Sequence, residues 1–402
     1  MKYIIILGDG MADEPLEQLQ NQTPLEFANT PTMDLLAKQG EVGLVDTIPF
    51  GMSPGSDVAN LSVLGYDSKL YYSGRSPLEA LSIGVEMSMT DVAIRCNLIT
   101  LSEENVPYEE RIVIDHSASE ITTEEAAILL EAVKQELESE IYKFYKGTSY
   151  RHLLIWDKGQ VVELTPPHDI LGKKCGEYLP NEELLRKMQE KSYEILSNHP
   201  INQKRKAIGL NPANSCWFWG AGTKPNLSSF TEKTGKRGAM ISAVDLLKGI
   251  AVGAQMKNID VEGANGGLHT NYEGKAKAAV DVLIREDYDF VYVHLEGPDE
   301  MGHQGKVNEK IQAIEYLDGR VIKYVKERLD KEGIEYRMLI LPDHPTPIHL
   351  RTHTSDPVPY LLYDNTNIQD NNYRYNEKEA KKSGKFIANG YEIIDYLFSI
   401  GS

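Results

Sequence analysis

Short apolar runs recur along the chain, each closing on a glycine, proline or acidic residue, and they alternate with stretches of helical periodicity. Residues 2–8 (KYIIILG) are continuous, apolar and rich in β-branched residues, which predicts a buried parallel strand. A helix is predicted around 31–39, entered at Thr30-Pro31 and left at Gly40, followed by a second strand over 41–47. The stretch 56–65 predicts a short helix beginning at Ser56 or Asp57. From residue 76 to residue 224 the pattern changes. RCNLITL, RIVIDH, YKFYKG and RHLLIW predict strands of a separate sheet, with helices at 122–138 and 181–198. Beyond Lys224 the alternation returns: AMIS before AVDLLKGIAVG, EGKAKAAVDVLIRE before DFVYVHLE, and a long helical stretch before YRMLILPDH. PYLLYD and a closing helix (YEIIDYLFSI) complete it. Such alternation implies βαβ units and a mainly parallel sheet. The prediction is one α/β domain, residues 1–75 and 225–402, interrupted by an inserted domain over 76–224. GAGTKP (220–225) reads as a hinge between them, GANGGLH (263–269) as a flexible loop, and 365–384 as a polar surface loop.

Composition narrows the picture. A chain of 402 residues, 41% apolar and 25% charged, is long enough for two domains with ample core. A net charge of -18 argues against a nucleic-acid partner, which requires a basic footprint. It leaves room for a small anionic substrate, because divalent cations and a few arginines reverse the sign locally. Cys96, Cys175 and Cys216 are far apart and form no CxxC pair, which reads as reduced thiols. No apolar run approaches the ~20 residues of a membrane helix. A cytoplasmic protein without a membrane partner is expected; nothing in the sequence sets its oligomeric state.

The chemistry gathers just past the predicted strands. YIIILG runs into Asp9; FVYVHLEG runs into Asp299, with His303 four residues on; MLILP runs into Asp343 and His344, and His353 follows. In open α/β sheets ligands bind outside the carboxyl ends of the strands, so groups scattered over the sequence meet in one place. Asp299 and His303 are one helical turn apart and can face one ion. Carboxylate and imidazole without thiolate suit manganese, zinc or magnesium. Ser56 at a helix start gains from the dipole there, which favours an incoming phosphate. Singly, each of these residues is an ordinary cap or loop polar group, and His294 and His116 read as structural histidines. No GxxxxGK[ST] or GxGxxG motif is present.

GDGMAD, SPGSDVANLSVLGYD, AIRCNL, SYRHLL, TPPHDILG, GAMISAVDLLKGI, HLEGPDEMGH and LPDHPTPIHLRTHTSDPVP, in that order, resemble the archaeal-type cofactor-independent phosphoglycerate mutases of the alkaline phosphatase superfamily. The resemblance implies an alkaline-phosphatase-like, mainly parallel sheet with helices on both faces, plus an inserted α+β lid domain that carries the transferase contacts. It implies two divalent ions, usually manganese, with zinc or magnesium tolerated. One would be held by Asp9, Ser56, Asp343 and His344, and the other by Asp299, His303 and His353. Ser56 takes the slot of the phosphorylated nucleophile, and the substrate would be 3-phosphoglycerate, converted to 2-phosphoglycerate. Arg95 and Arg151, in the inserted domain, are the candidates for holding the substrate carboxylate or phosphate bidentately. Lys224 and Arg237 are further candidates near the phosphoryl group.

One segment departs from the family pattern. DHSASEIT (115–122) stands where DYSAGHIS is expected, so Ser119 replaces a glycine and Glu120 a histidine. An added carboxylate facing the cleft would repel a trianionic substrate, whereas one facing solvent would cap the helix at 122. It would also suit a zwitterionic acceptor, as in a homoserine kinase-like phosphotransferase with the same serine and metals. A plain phosphatase or sulfatase fits less well, there being no CxPxR sequence. A degenerate binding protein would have lost a ligand or the nucleophile, and none is missing.

Overall fold

The strand Lys2–Gly8 is buried from Tyr3 onward, so both of its faces are covered, as its unbroken apolar sequence requires. In the computed structural model, which describes residues 1–399, it lies inside an eight-stranded sheet. The order across the sheet is Phe386–Ile387, Glu41–Val45, Val358–Asp364, Tyr336–Leu341, Lys2–Gly8, Phe290–Leu295, Gly238–Ile241 and Lys257–Asn258. The last five run parallel; Val358–Asp364 is antiparallel to both its neighbours. Register decides where the chemistry falls. Leu7 pairs with both His294 and Leu341, and Gly8 pairs with Leu295. Asp9, the 296–303 segment and the 342–344 turn therefore leave the sheet side by side at one end.

The chain divides into two compact units, Met1–Tyr72 with Leu227–Ser402, and Ser73–Asn226. The second unit holds a five-stranded antiparallel sheet. Val92–Leu101 is its centre, pairing with Val113–Asp115, Arg151–Trp156 and Ser215–Thr223, while Tyr142–Tyr145 adds to Arg151–Trp156. The helices Thr123–Leu137 and Glu183–Leu196 share a buried core with that sheet. Among the described residues no helix is long and apolar enough to cross a membrane.

Three sequence readings need correction. GAGTKP is not a free hinge, because Gly220–Thr223 finish the strand Ser215–Thr223. The 365–384 segment is more than a polar loop: Tyr375 and Asn376 are buried, and Asn376 caps the helix Glu377–Lys382. The helix Pro200–Ala207 was not foreseen, its sequence being mostly polar with only Asn202 and Arg205 buried.

Candidate active site

Gly10 follows Asp9 with φ 60, and a Cβ there would lie 2.5 Å from both Asp299 Oδ1 and Thr346 Oγ1. Only glycine lets the first strand exit approach the second and third this closely. Asp299 sits in the first turn of the helix Gly297–Gln304, and His303 follows one turn on. The third exit is fixed through Asp343. Its Oδ1 accepts from the Gly10 N–H (3.1 Å) and the His344 N–H (2.9 Å), and its Oδ2 accepts from Asn60 Nδ2 (2.9 Å).

Ser56 is the first residue of the helix Ser56–Val63, whose N-cap is Gly55. Its hydroxyl is not used as a cap; Oγ lies 3.2 Å from His344 Nε2. The same Nε2 is 3.5 Å from Asp9 Oδ1 and 3.4 Å from Asp343 Oδ2. Four of the expected residues thus surround one point. The other three form a second group: His303 Nε2 is 3.3 Å from Asp299 Oδ2, and His353 Nε2 is 3.4 Å from Asp299 Oδ1. The two imidazole nitrogens are 2.8 Å apart. The His344 and His353 rings pack with centroids 3.9 Å apart, tilted by 30°, joining the two groups.

The electrostatics follow from packing so many acids together. Burial, and after it the neighbouring Asp343 and Asp299, pushes the Asp9 carboxyl well above its usual range. Burial would also raise Asp299, but hydrogen bonds from His303 and His353 outweigh it and hold that carboxyl well below. The Asp299 contact lifts His303 to about 9, whereas burial lowers His344. Asp9 Oδ1 is buried with no hydrogen-bond partner. A partnerless buried carboxylate oxygen and two imidazole nitrogens 2.8 Å apart that both face Asp299 are what a divalent cation would satisfy, and the donors are of the right type. The residues fit the metals.

Several neighbours were not singled out from sequence. Asn60, one helical turn from Ser56, also donates to the Ser56 carbonyl and accepts from Tyr292 Oη. Its i+4 spacing was a readable signal. Thr346 Oγ1 donates to Asp299 Oδ1 (2.5 Å). His294, read from sequence as a structural histidine, is buried with Nε2 2.9 Å from Asp9 Oδ2; a lone polar position near the end of a buried strand was the clue to that contact.

The expected substrate-side residues fall in both units, with Arg95 and Arg151 on the paired strands Val92–Leu101 and Arg151–Trp156. Arg95 is buried over the Trp219 ring (4.3 Å) and makes a bidentate pair with Glu79 (2.8 and 2.7 Å), while burial lowers its pKa. Arg151 is exposed, with its guanidinium 5.3 Å from the Tyr150 ring centroid. Lys224 donates to the Met87 carbonyl. All three belong to the second unit. Arg237 is not brought to the cluster: it precedes the parallel strand Gly238–Ile241, at the end of the sheet opposite the ligands, where it stacks on Tyr288. Glu120 is exposed at φ 48 and caps nothing; Thr122 is the cap of the following helix.

Comparison with known proteins places the chain in a family. Residues 37–202 match the profile of the 2,3-bisphosphoglycerate-independent phosphoglycerate mutase family. A protein of that name from Methanosarcina mazei is 46% identical over 389 residues, 96% of each chain. One from Geobacter sulfurreducens, named as a probable member, is 45% identical over 99% of each chain. A solved Pyrococcus horikoshii protein superposes with a TM-score of 0.82 at 32% identity, covering 99% of this chain and 96% of that one. The cofactor-independent phosphoglycerate mutase of Thermoplasma acidophilum gives 0.68 at 27% identity over the whole of both chains. With this likeness running from end to end, the chain belongs to the 2,3-bisphosphoglycerate-independent phosphoglycerate mutase family.

Proposed function

We propose that this protein interconverts 3-phosphoglycerate and 2-phosphoglycerate through a phosphorylated Ser56. The observation that carries the reading is the convergence of Ser56 Oγ, Asp9 Oδ1 and Asp343 Oδ2 within 3.2–3.5 Å of His344 Nε2. Asp9, Ser56, Asp343 and His344 would hold one divalent ion, and Asp299, His303 and His353 a second. Such a pair, manganese by family resemblance, would lower the pKa of a serine hydroxyl and neutralise charge on the phosphoryl oxygens.

Ser56 Oγ attacks phosphorus in line, forming an Oγ–P bond as the bond from phosphorus to O3 breaks and glycerate takes up a proton. Glycerate then re-orients, its 2-hydroxyl loses a proton and attacks the same phosphorus, and the Oγ–P bond breaks to restore the serine. The N-terminus of the helix Ser56–Val63 favours the phosphate during both displacements. Asn60 holds the Ser56 carbonyl and Asp343 together, so nucleophile and ligand move as one. Water must be excluded while phosphoserine stands, or the result is hydrolysis. The second unit would act as the lid, with Arg151 an anion-holding group and Arg95 a second only by giving up Glu79. Lys224 would be available there only by giving up Met87.

The test is turnover of 2- and 3-phosphoglycerate by the purified protein in Mn²⁺, followed by ³¹P NMR. Ser56→Ala is expected to abolish interconversion while still binding metal. No mutase activity alongside ATP-dependent phosphorylation of homoserine would overturn the reading.

A further inference from the structure

We infer that Ser242 and His294 act as a positioning relay for Asp9, locking its carboxylate so that one oxygen is left for the cation beside Ser56. The inference rests on the two-ion reading above. His294 is fully buried, with Nε2 2.9 Å from Asp9 Oδ2 and Nδ1 3.2 Å from Ser242 Oγ. Ser242 Oγ also accepts from the Val244 N–H at 3.0 Å.

Counting protons fixes the roles. A backbone N–H only donates, so Val244 occupies a lone pair of Ser242 Oγ and the hydroxyl hydrogen is free to point at Nδ1. With a cation bound at Asp9 its carboxylate is ionised and only accepts, so Nε2 then carries the imidazole hydrogen. With the hydrogen on Nε2 and the lone pair on Nδ1, every member of the chain Val244–Ser242–His294–Asp9 is satisfied. A protonated Nε2 has no lone pair for a metal. His294 therefore sits within ligand distance of Asp9 and Asp343 without being a ligand. Its work is to hold Oδ2 and leave Oδ1, buried and otherwise unpartnered, turned towards His344. Lys275 Nζ donates to the His294 carbonyl (2.8 Å), which anchors the relay from the far side. Groups that orient ligands in this way typically change metal affinity 10–100-fold when removed.

The experiment titrates metal-free protein with Mn²⁺, reading affinity and stoichiometry by calorimetry and imidazole coordination by pulsed EPR. Asp9→Ala and His353→Ala serve as references that each remove one ion. His294→Leu is expected to weaken the Asp9-side ion about 10- to 100-fold and to leave the other unchanged. His294→Gln, whose amide N–H can donate to Oδ2, should recover most of that loss. It should also keep the same number of coordinated imidazole nitrogens as the unsubstituted protein. Ser242→Ala, which preserves the core should His294→Leu fail to fold, is expected to weaken the same ion by a smaller factor. Unchanged affinity in both His294→Leu and Ser242→Ala would overturn the relay. So would loss of one imidazole coupling in His294→Gln, which would make His294 a ligand. If Asp9→Ala and His353→Ala leave the stoichiometry untouched, the two-ion reading itself falls.

Discussion

Lys310→Met tests how the ligand-bearing exits are held together. Lys310 and Asp13 form an ion pair with both side chains fully buried, Nζ to Oδ2 at 2.7 Å. The same ammonium donates to the Thr346 carbonyl (2.9 Å) and to that of Ala12 (3.4 Å), while the Asp13 carboxylate accepts from the Ile348 N–H at 3.2 Å. One cation thus ties the segment after Asp9 to the segment after His344. Methionine keeps much of the length and removes the charge, leaving Asp13 as an uncompensated buried anion. Removing one partner of a buried pair costs about 3–5 kcal/mol. For a unit of this size that corresponds to a fall in Tm of roughly 6–20 °C, at about 2–4 °C per kcal/mol. The assay is thermal unfolding in EDTA, so that bound ions do not contribute. The Lys310→Met, Asp13→Leu double variant completes a cycle, with a coupling energy of about 2 kcal/mol expected for groups in direct contact. A loss below about 1 kcal/mol in the single variant, additive with the second, would refute the clamp.

Gly10→Ala forces a Cβ to 2.5 Å from Asp299 Oδ1 at a positive φ, so Mn²⁺ titration should show the Asp299-side ion weakened at least tenfold; unchanged binding would show that the exits do not approach so closely. Arg237→Ala should leave kcat/KM within about twofold, since the residue lies at the opposite end of the sheet, and a tenfold loss would return it to the site. Chelation should lower Tm, and restoring Mn²⁺ at about 100 times its Kd should return roughly 2.7 kcal/mol per site, read by calorimetry. His152 supplies a pH signature. Burial depresses it from the usual 6.5 to about 4, so the unfolded chain binds the proton more readily between those values. Stability is then full above pH 6.5 and falls by roughly 3 kcal/mol as pH drops towards 4. His152→Phe should flatten that slope, and an unaltered slope would place the acid sensitivity elsewhere.

What could be read from sequence was set by the parallel strands. A buried parallel strand is apolar throughout, so the acid that ends it stands out, and Asp9, Asp299 and Asp343 were legible for that reason. Arg237 was misplaced because it precedes its strand, and in a parallel sheet the residue before a strand lies at the other end from the residue after it. His294 was read only as a structural histidine because it interrupts an apolar run instead of ending it. Its partner Ser242 is 52 residues away, a pairing that only the register of the two strands creates. Tyr375 and Asn376 were hidden inside a polar stretch, where local composition says nothing of what lies above it. Arg95 was readable as a cation, but Glu79, which occupies its fork, was not.

The long helical stretch Val307–Lys331 contains a wide turn at Leu317–Ile322. Such a turn houses one surplus residue and absorbs the ~100° by which it would otherwise rotate everything downstream. Ile311 and Ile314 before it, and Val325 and Leu329 after it, consequently share one core. Asp318, within it, accepts from the Thr32 and Met33 N–H groups at the start of the helix Pro31–Gln39. Excising a residue here would sacrifice that cap and spare the hydrophobic alignment on either side. Single-residue gaps between homologous chains should accordingly collect in this turn and be rare elsewhere along the stretch.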